Sequence, residues 1–415
     1  MVFHYKFSRY VLSLFIALST VMLYGAAEPK ERPQDTESAY TVAIVKDDEI
    51  EREQPKERVW NTRILLDEHD IYDNDEWEFS SDDGFLVSDE VVPVRTAPYK
   101  DTRLRIGHAR GALYINDRKC VPKKLLIIPR NGKITSNDRT YQGSMFIVPH
   151  EKSWLLINVI DLEEYIYSVL KTESWPGWPL EVNKAFAVTS RTYAIAMIMR
   201  AQATKLPYHL RNTNVHQTYS GVHDDTDLWK AVSSTRGLFL GHDNKPILAM
   251  FDACCGGIIP AHIRDFDFRK APYLAREYPC THCKRCKIFH WEARYEIPHL
   301  EKIIKDELPH ITKVKKVEIA KRDRAGLTDK VVITGRKDKD HISGKKWYSM
   351  LKDVKSFVYE IEMHKEVVHI KGRGYGHHLG LCQWGAREMI RDGADYRTVL
   401  RFYYPGTCFM KLVPA

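Results

Sequence analysis

Asp161-Leu162-Glu163-Glu164-Tyr165-Ile166-Tyr167-Ser168-Val169-Leu170-Lys171-Thr172-Glu173-Ser174-Trp175-Pro176-Gly177-Trp178-Pro179 is the stretch where the chain changes period. Asp161 followed three residues later by Glu164 is a helix-start pattern, in which each side chain satisfies a backbone N–H of the first turn. Leu162, Tyr165, Ile166, Val169 and Leu170 then recur at helical spacing and define one apolar face. Two Trp and two Pro break that helix, and a second begins near Leu180 and runs through Ala185, Val188, Tyr193, Ala194, Met197 and Ile198.

Upstream the pattern is short apolar runs separated by polar turns. Ile64-Leu65-Leu66, Phe85-Leu86-Val87, Leu104-Arg105-Ile106 and Leu125-Leu126-Ile127-Ile128 read as short strands, with turns at Asn131-Gly132 and Asn137-Asp138. Residues 141–148 and 154–160 read as a hairpin pair. Downstream, Val314–Val317 and Val331–Ile333 read as strands, and two short helices are expected at 383–391 and 396–403. The fold class is therefore α+β: a β-rich body with packed helices forming a substrate groove, preceded by a flexible acidic N-terminal segment.

The N-terminus divides into two further parts. Lys6 and Arg9 precede an apolar run from Tyr10 to Tyr24, and Gly25-Ala26-Ala27 supplies small residues for cleavage. Residues 1–27 thus read as a signal peptide or, left uncleaved, as a membrane anchor. Residues 28–60 read as an acidic flexible linker, and 61–415 as the main folded domain, with a Cys-rich insert at about 254–290. Residues 28–90 carry net −14, whereas 91–415 carry +20. A basic body implies a polyanionic partner. Export argues against nucleic acid and favours a cell-wall polymer bearing carboxylates.

Glu173 stands where indole and proline surface surrounds a carboxyl group. Desolvation there raises its pKa and suits it to general acid work near neutral pH. Arg191-Thr192-Tyr193 lies on the next helix, among small residues that allow close packing. Gly372-Arg373-Gly374-Tyr375-Gly376-His377-His378-Leu379-Gly380-Leu381-Cys382-Gln383-Trp384-Gly385-Ala386 alternates glycine with polar residues, which describes a sharply turning loop that presents side chains. No Gly-Lys-Ser/Thr follows, so it is not a phosphate loop. Cys382 near His377 has no third orienting group to support a thiol-protease reading.

Eight cysteines are present, five of them concentrated in Cys254-Cys255 and in Cys280-Thr281-His282-Cys283-Lys284-Arg285-Cys286. Cys255, Cys280, Cys283 and Cys286 have the spacing of a tetrahedral structural zinc site, with His282 and His290 as alternative ligands. Disulfide pairing in an oxidising envelope is the competing reading. An iron–sulfur cluster fits the spacing but not export. Cys120 and Cys408 are read as unpaired or structural.

Taken in order, several motifs resemble the SpoIID/LytB family. They are Tyr141-Gln142-Gly143-Ser144, Asp161–Tyr165, and Glu173 with Trp178-Pro179-Leu180-Glu181. Ala185–Ala194, Phe251–Gly257, Gly372–Ala386 and Tyr404-Pro405-Gly406-Thr407 complete the set. The resemblance spans about residues 60–415. It implies a peptidoglycan lytic transglycosylase that cuts the bond between N-acetylmuramic acid and N-acetylglucosamine in strands already stripped of peptides by a cell-wall amidase. It places Glu173 at the catalytic acid. Arg191, Tyr193, His377, Gln383, Arg373 and Tyr375 fall at substrate-binding positions. The resemblance also implies that zinc near the Cys cluster is structural and that the chemistry needs no cofactor. A non-catalytic amidase enhancer is the rival role within the family. Two positions depart from its pattern: His378 stands where Gly is common, and Cys382 where Ser is common.

Overall fold

The computed structural model describes residues 40–44, 60–88, 97–99, 101–119, 124–175, 177–213 and 215–414. The expected leader, most of the acidic linker and Cys120 lie outside them. Among the described residues, no helix is long and apolar enough to cross a membrane. Of the described residues, those from 40 to 239, with 410–414, form one compact unit, and 240–409 form a second.

The first unit is built on strands. A seven-stranded sheet runs in the order Leu210–Arg211, Asn61–Asp70, Ser153–Asp161, Ser144–His150, Leu125–Pro129, Phe85–Ser88, Ala97–Tyr99. Its third strand buries Trp154, Leu155, Leu156 and Ile157 in succession, as a strand covered on both faces does. A six-stranded sheet alternates instead. Trp77 and Phe79 are buried on Asp75–Ser80, and Leu104, Ile106 and His108 on Arg103–Ala109.

The expected hairpin is real but shorter. Ser144–His150 pairs with Ser153–Asp161, Ser144 facing Val159, while Tyr141-Gln142 pairs with Lys133-Ile134 in the other sheet. Gly143 divides them at φ +85°, and a Cβ there would lie 2.2 Å from the Val159 carbonyl oxygen. Asn137 and Asp138 both take positive φ (49° and 61°), the conformation a two-residue hairpin turn demands.

Helix α1 (Leu162–Glu173) follows without a loop. Asp161 caps it, its Oδ1 accepting the N–H groups of Glu163 at 2.9 Å and Glu164 at 3.4 Å. All five residues of the predicted face are buried. Helix α2 (Leu180–Ala203) buries residues on every side, Val182 to Ala201. Helix α3 (Thr226–Ser234) completes the helical part of this unit.

In the second unit, two three-stranded sheets share a core. The first orders His290–Glu296, Val367–Arg373, Val358–His364, and the second Lys316–Arg322, Thr328–Thr334, Lys339–Ser343. Helices α4 (Ile297–Ile304) and α5 (Gly344–Met350) add Leu300, Ile304, Trp347 and Tyr348 to it. Helices α6 (Gln383–Arg391) and α7 (Tyr396–Tyr403) have the predicted bounds. Between 254 and 289 the chain runs in turns and short 3₁₀ segments, where cysteines supply the interior.

Candidate active site and cysteine centre

Glu173 is the last residue of α1. Its side chain is half-buried, and its Oε1 accepts the backbone N–H of Thr218 at 3.0 Å. Burial pushes its carboxyl above the ordinary range, with the Thr218 hydrogen bonds opposing. The frame around it is braced. Trp175 and Trp178 stack at 6.0 Å, and Trp178 packs 5.7 Å from Phe186 of α2. Ser174 Oγ donates to Asn183 Oδ1 at 2.7 Å, and Asn183 Nδ2 donates to the Trp178 carbonyl at 3.3 Å. Gly177 turns this segment at φ +74°.

The Thr218 strand of chain is held just as firmly. Thr172 Oγ1 donates to the Thr218 carbonyl at 2.6 Å. Buried Gln217 accepts the Tyr165 hydroxyl at 3.1 Å and donates to the Ser190 carbonyl at 3.3 Å. Buried Tyr219 donates to Asn158 Oδ1 at 2.6 Å, and Asn158 Nδ2 in turn bonds the carbonyls of Gln142 and Ser144, on either side of Gly143. The acid is thus set by residues from four separated sequence motifs. His216-Gln217-Thr218-Tyr219 carries no periodicity and was not legible as part of a site.

Tyr193 is half-buried, its ring 6.3 Å from His216. Burial raises its phenol, with Arg200 opposing. Burial, then Arg211 and Arg200, lower His216 to about 4, so it is neutral near pH 7. Arg191 is a correction to the expected substrate contacts. It is fully buried, with Nε and Nη2 on Glu163 at 2.9 and 2.5 Å and Nη1 on the Leu238 carbonyl at 3.0 Å. On a helix buried all round, an arginine inside the bundle joins elements rather than lining a surface.

In the second unit the glycine-rich loop leaves Arg373 and Tyr375 half-buried, while His377 and Gln383 are buried. Burial, with His378 adding, lowers His377 to about 3 against the Phe251 backbone. Its Nδ1 accepts the Leu379 N–H at 3.1 Å. His378 sits at φ +69°, a left-handed conformation that glycine adopts more readily than other residues. Its ring offsets the strain: Nδ1 bonds the Cys255 carbonyl at 2.9 Å, and Nε2 accepts the Phe357 N–H at 3.3 Å.

The cysteines converge. Seven are thiols among the described residues, six of them buried. The sulfurs of Cys255, Cys280, Cys283 and Cys382 lie within 4.8 Å of one another. Cys286, expected as the fourth ligand, instead lies 3.7 Å from Cys254, and Cys382 completes the quartet. Cys382 accepts the N–H groups of Cys255 and Gly385, each at 3.3 Å. Tyr403 Oη is 3.2 Å from Cys280 Sγ. A hydrogen bond from Cys255 lowers Cys280 to about 7, whereas burial drives Cys382 well up. Four adjacent thiolates need a cation to coexist. With metal–sulfur bonds of about 2.3 Å, a tetrahedral site has sulfurs about 3.8 Å apart, and Cys255 and Cys283 are 3.8 Å apart. The four residues fit a buried metal.

Together these features define an α+β protein with a desolvated, rigidly framed carboxylic acid and a cysteine centre able to hold a metal. Residues 150–242 match the family described as SpoIID, Stage II sporulation protein. The chain is 30% identical to an uncharacterised protein of Brachyspira hyodysenteriae, over 69% of this chain and 76% of that one. It is 24% identical to Stage II sporulation protein D of Bacillus subtilis, over 60% and 74%. It is 25% identical to an amidase enhancer of the same species, over 58% of this chain but 39% of that relative. The chain belongs to the SpoIID family.

Proposed function

We propose that this chain is an exported peptidoglycan lytic transglycosylase that acts in cell-wall remodelling, residues 1–27 directing it to the envelope. The observation that carries the reading is Glu173: a half-buried acid with a raised pKa, next to two stacked tryptophans that offer a surface for sugar rings. As the acid, Glu173 gives its proton to the glycosidic oxygen leaving from N-acetylmuramic acid. As the resulting carboxylate, it takes the proton of the muramic C6 hydroxyl while that oxygen closes on the anomeric carbon. The C1–O bond to the leaving sugar breaks, a C1–O6 bond forms, and the product is a 1,6-anhydro end. One carboxylate serves both steps, so no second one opposite is required. Glu163, ten residues earlier on the same helix, is taken up by Arg191. The Thr218 N–H stabilises the carboxylate form without removing the acid form.

The +20 charge of residues 91–415 suits strands whose muramic carboxylates are exposed after an amidase has removed the stem peptides. Zinc is the metal we assign to Cys255, Cys280, Cys283 and Cys382, where it ties distant segments together and takes no part in the cleavage. The likeness to an amidase enhancer favours a second reading, a wall-binding partner of an amidase without activity of its own.

The test incubates the whole purified protein with amidase-treated glycan strands, beside Glu173→Gln, with products read by mass spectrometry. Anhydro ends from the wild type alone support the enzyme. Reducing ends would mean hydrolysis. Binding without cleavage would establish the enhancer.

A further inference from the structure

The segment that holds Glu173 carries a second polar group, which the cleavage steps above leave unused. Along His216-Gln217-Thr218-Tyr219 burial alternates: Gln217 and Tyr219 are buried, whereas His216 and Thr218 are half-buried. The His216 and Thr218 side chains thus leave the core on one face, two residues or about 7 Å apart along an extended chain. Thr218 is bonded to Glu173, so His216 stands beside the acid.

The protein fixes where the proton of this imidazole sits. Nδ1 accepts the backbone N–H of Arg211 at 2.9 Å. A neutral ring that accepts at one nitrogen carries its proton on the other. Burial, with Arg211 and Arg200 adding, keeps the ring neutral near pH 7. Nε2–H is therefore a donor, and among the described residues it has no acceptor. Tyr193 flanks it, ring centre to ring centre at 6.3 Å. Tyr193 lies one helical turn beyond Ser190, whose carbonyl is gripped by Gln217, so the two rings are set by one connection. The Tyr193 hydroxyl likewise has no hydrogen-bond partner among the described residues.

Neutral donors suit an acceptor without charge. A carboxylate would be matched by a cation, but the Arg211 guanidinium is turned to Glu68 and the Tyr208 hydroxyl, at 3.7 and 2.9 Å. Sugar hydroxyls donate as well as accept and can turn to suit either partner. The acetamido carbonyl of an N-acetyl sugar only accepts, so it is the group that a fixed donor singles out.

We infer that His216 Nε2–H donates to the acetamido carbonyl oxygen of the N-acetyl sugar bound beside Glu173, and so makes the site select N-acetylated over N-deacetylated strands. The inference rests on glycan strands being the ligand, as proposed above, and adds the residue that reads them. A deacetylated sugar presents an ammonium group there, which cannot accept and leaves the donor unpaired.

The test measures binding of amidase-treated strands, N-acetylated and chemically N-deacetylated, to the whole protein carrying Glu173→Gln, so that nothing is cleaved. Acetylated strands should bind about tenfold tighter, the upper worth of one neutral hydrogen bond. Adding His216→Asn should abolish the preference, because its amide oxygen can still accept the Arg211 N–H but its side chain ends short of Nε2. Adding His216→Gln, whose longer amide brings an N–H to about the place of Nε2, should restore it. If His216→Asn fails to fold, nitrogen-15 shifts of the histidine rings decide the matter on the unsubstituted chain. The Nε2 signal missing from His216→Gln should then move with acetylated strands and stay with deacetylated ones. Equal binding of the two strands, or a preference unchanged in His216→Asn, overturns the inference even where the wild type makes anhydro ends. Selective binding through His216 in a protein that cleaves nothing would overturn the transglycosylase and leave this inference standing. No binding to either strand overturns both.

Discussion

Glu173 Oε1 and the backbone N–H of Thr218 are 3.0 Å apart, and the pairing joins the end of the first helix to a chain segment 45 residues on. Two opposed effects meet there. Burial favours the protonated acid, and the N–H favours the carboxylate, with burial the larger. A group that must give a proton and then take one back needs both forms within reach. Glu173→Gln keeps the acceptor and the shape but cannot cycle a proton. Cleavage of peptide-free strands should fall by about 10²–10⁴-fold, the usual worth of a general acid. Binding of the strands should be retained, and product analysis with a pull-down would check both.

The same substitution has a stability signature. The folded pKa of Glu173 is raised above its unfolded value, so its contribution to stability is present below the unfolded pKa and is lost as pH rises through the folded one. Glu173→Gln does not ionise. It should therefore melt above the wild type in mildly alkaline buffer, with the difference closing as pH falls below the ordinary range of glutamate. Thermal unfolding across pH reads this without any substrate. An equal difference at all pH values would mean that Glu173 is not desolvated.

Gln217 positions Thr218 by holding Tyr165 and the Ser190 carbonyl. Gln217→Ala strands those two buried groups, at a cost of about 1–3 kcal/mol, and loosens the Thr218 N–H. Losing a donor to the carboxylate raises the pKa of Glu173 further. The alkaline limb of the cleavage profile should move to higher pH, with kcat changing more than KM. A purely structural role would lower stability and leave the profile in place.

Much of this architecture was open to reading in the residues. Asp161 announced the helix start because a carboxylate three residues ahead of a glutamate can satisfy free N–H groups locally. The bounds of α6 and α7 were expected from the sequence, and in the structure Asp395 caps the second of them. What escaped was non-local. Thr218 contributes a backbone N–H, which every residue but proline carries, so nothing in its identity marks it. Arg191 has the residue type of a sugar ligand, and only the fold shows that Glu163, 28 residues earlier on α1, claims it. Cys382 lies 96 residues beyond Cys286, outside any spacing pattern, although its place in the glycine-rich loop had already singled it out. The departures at 378 and 382 have structural reasons: His378 binds the Cys255 carbonyl, and Cys382 completes the quartet that includes Cys255.

The Arg191–Glu163 pair makes a prediction of its own. Both side chains are buried and joined by two hydrogen bonds, and Arg191 also serves the carbonyls of Leu238 and Val232. Arg191→Ala leaves a carboxylate in the interior and should cost about 3–5 kcal/mol, whereas an apolar pair of similar volume, Glu163→Leu with Arg191→Met, should recover much of that. Chemical unfolding of the two variants measures it. If Arg191 acted on substrate instead, Arg191→Ala would fold normally and lose strand binding, and the double variant would be no better.

Cys382→Ser removes a sulfur from the quartet. The hydroxyl can still accept from the N–H groups of Cys255 and Gly385, so the loop closes. It is a poorer metal ligand than thiolate, because a borderline-soft ion prefers sulfur. Metal should be lost at chelator concentrations that the wild type withstands, and melting temperature should drop only in the chelated sample. In metal-free protein the wild type and variant should melt together, since without the ion neither chain has the cross-link. A variant that melts low with or without metal would mean that Cys382 acts by packing alone. That result would return the fourth ligand position to Cys286, which a metal count on Cys286→Ser would then show directly.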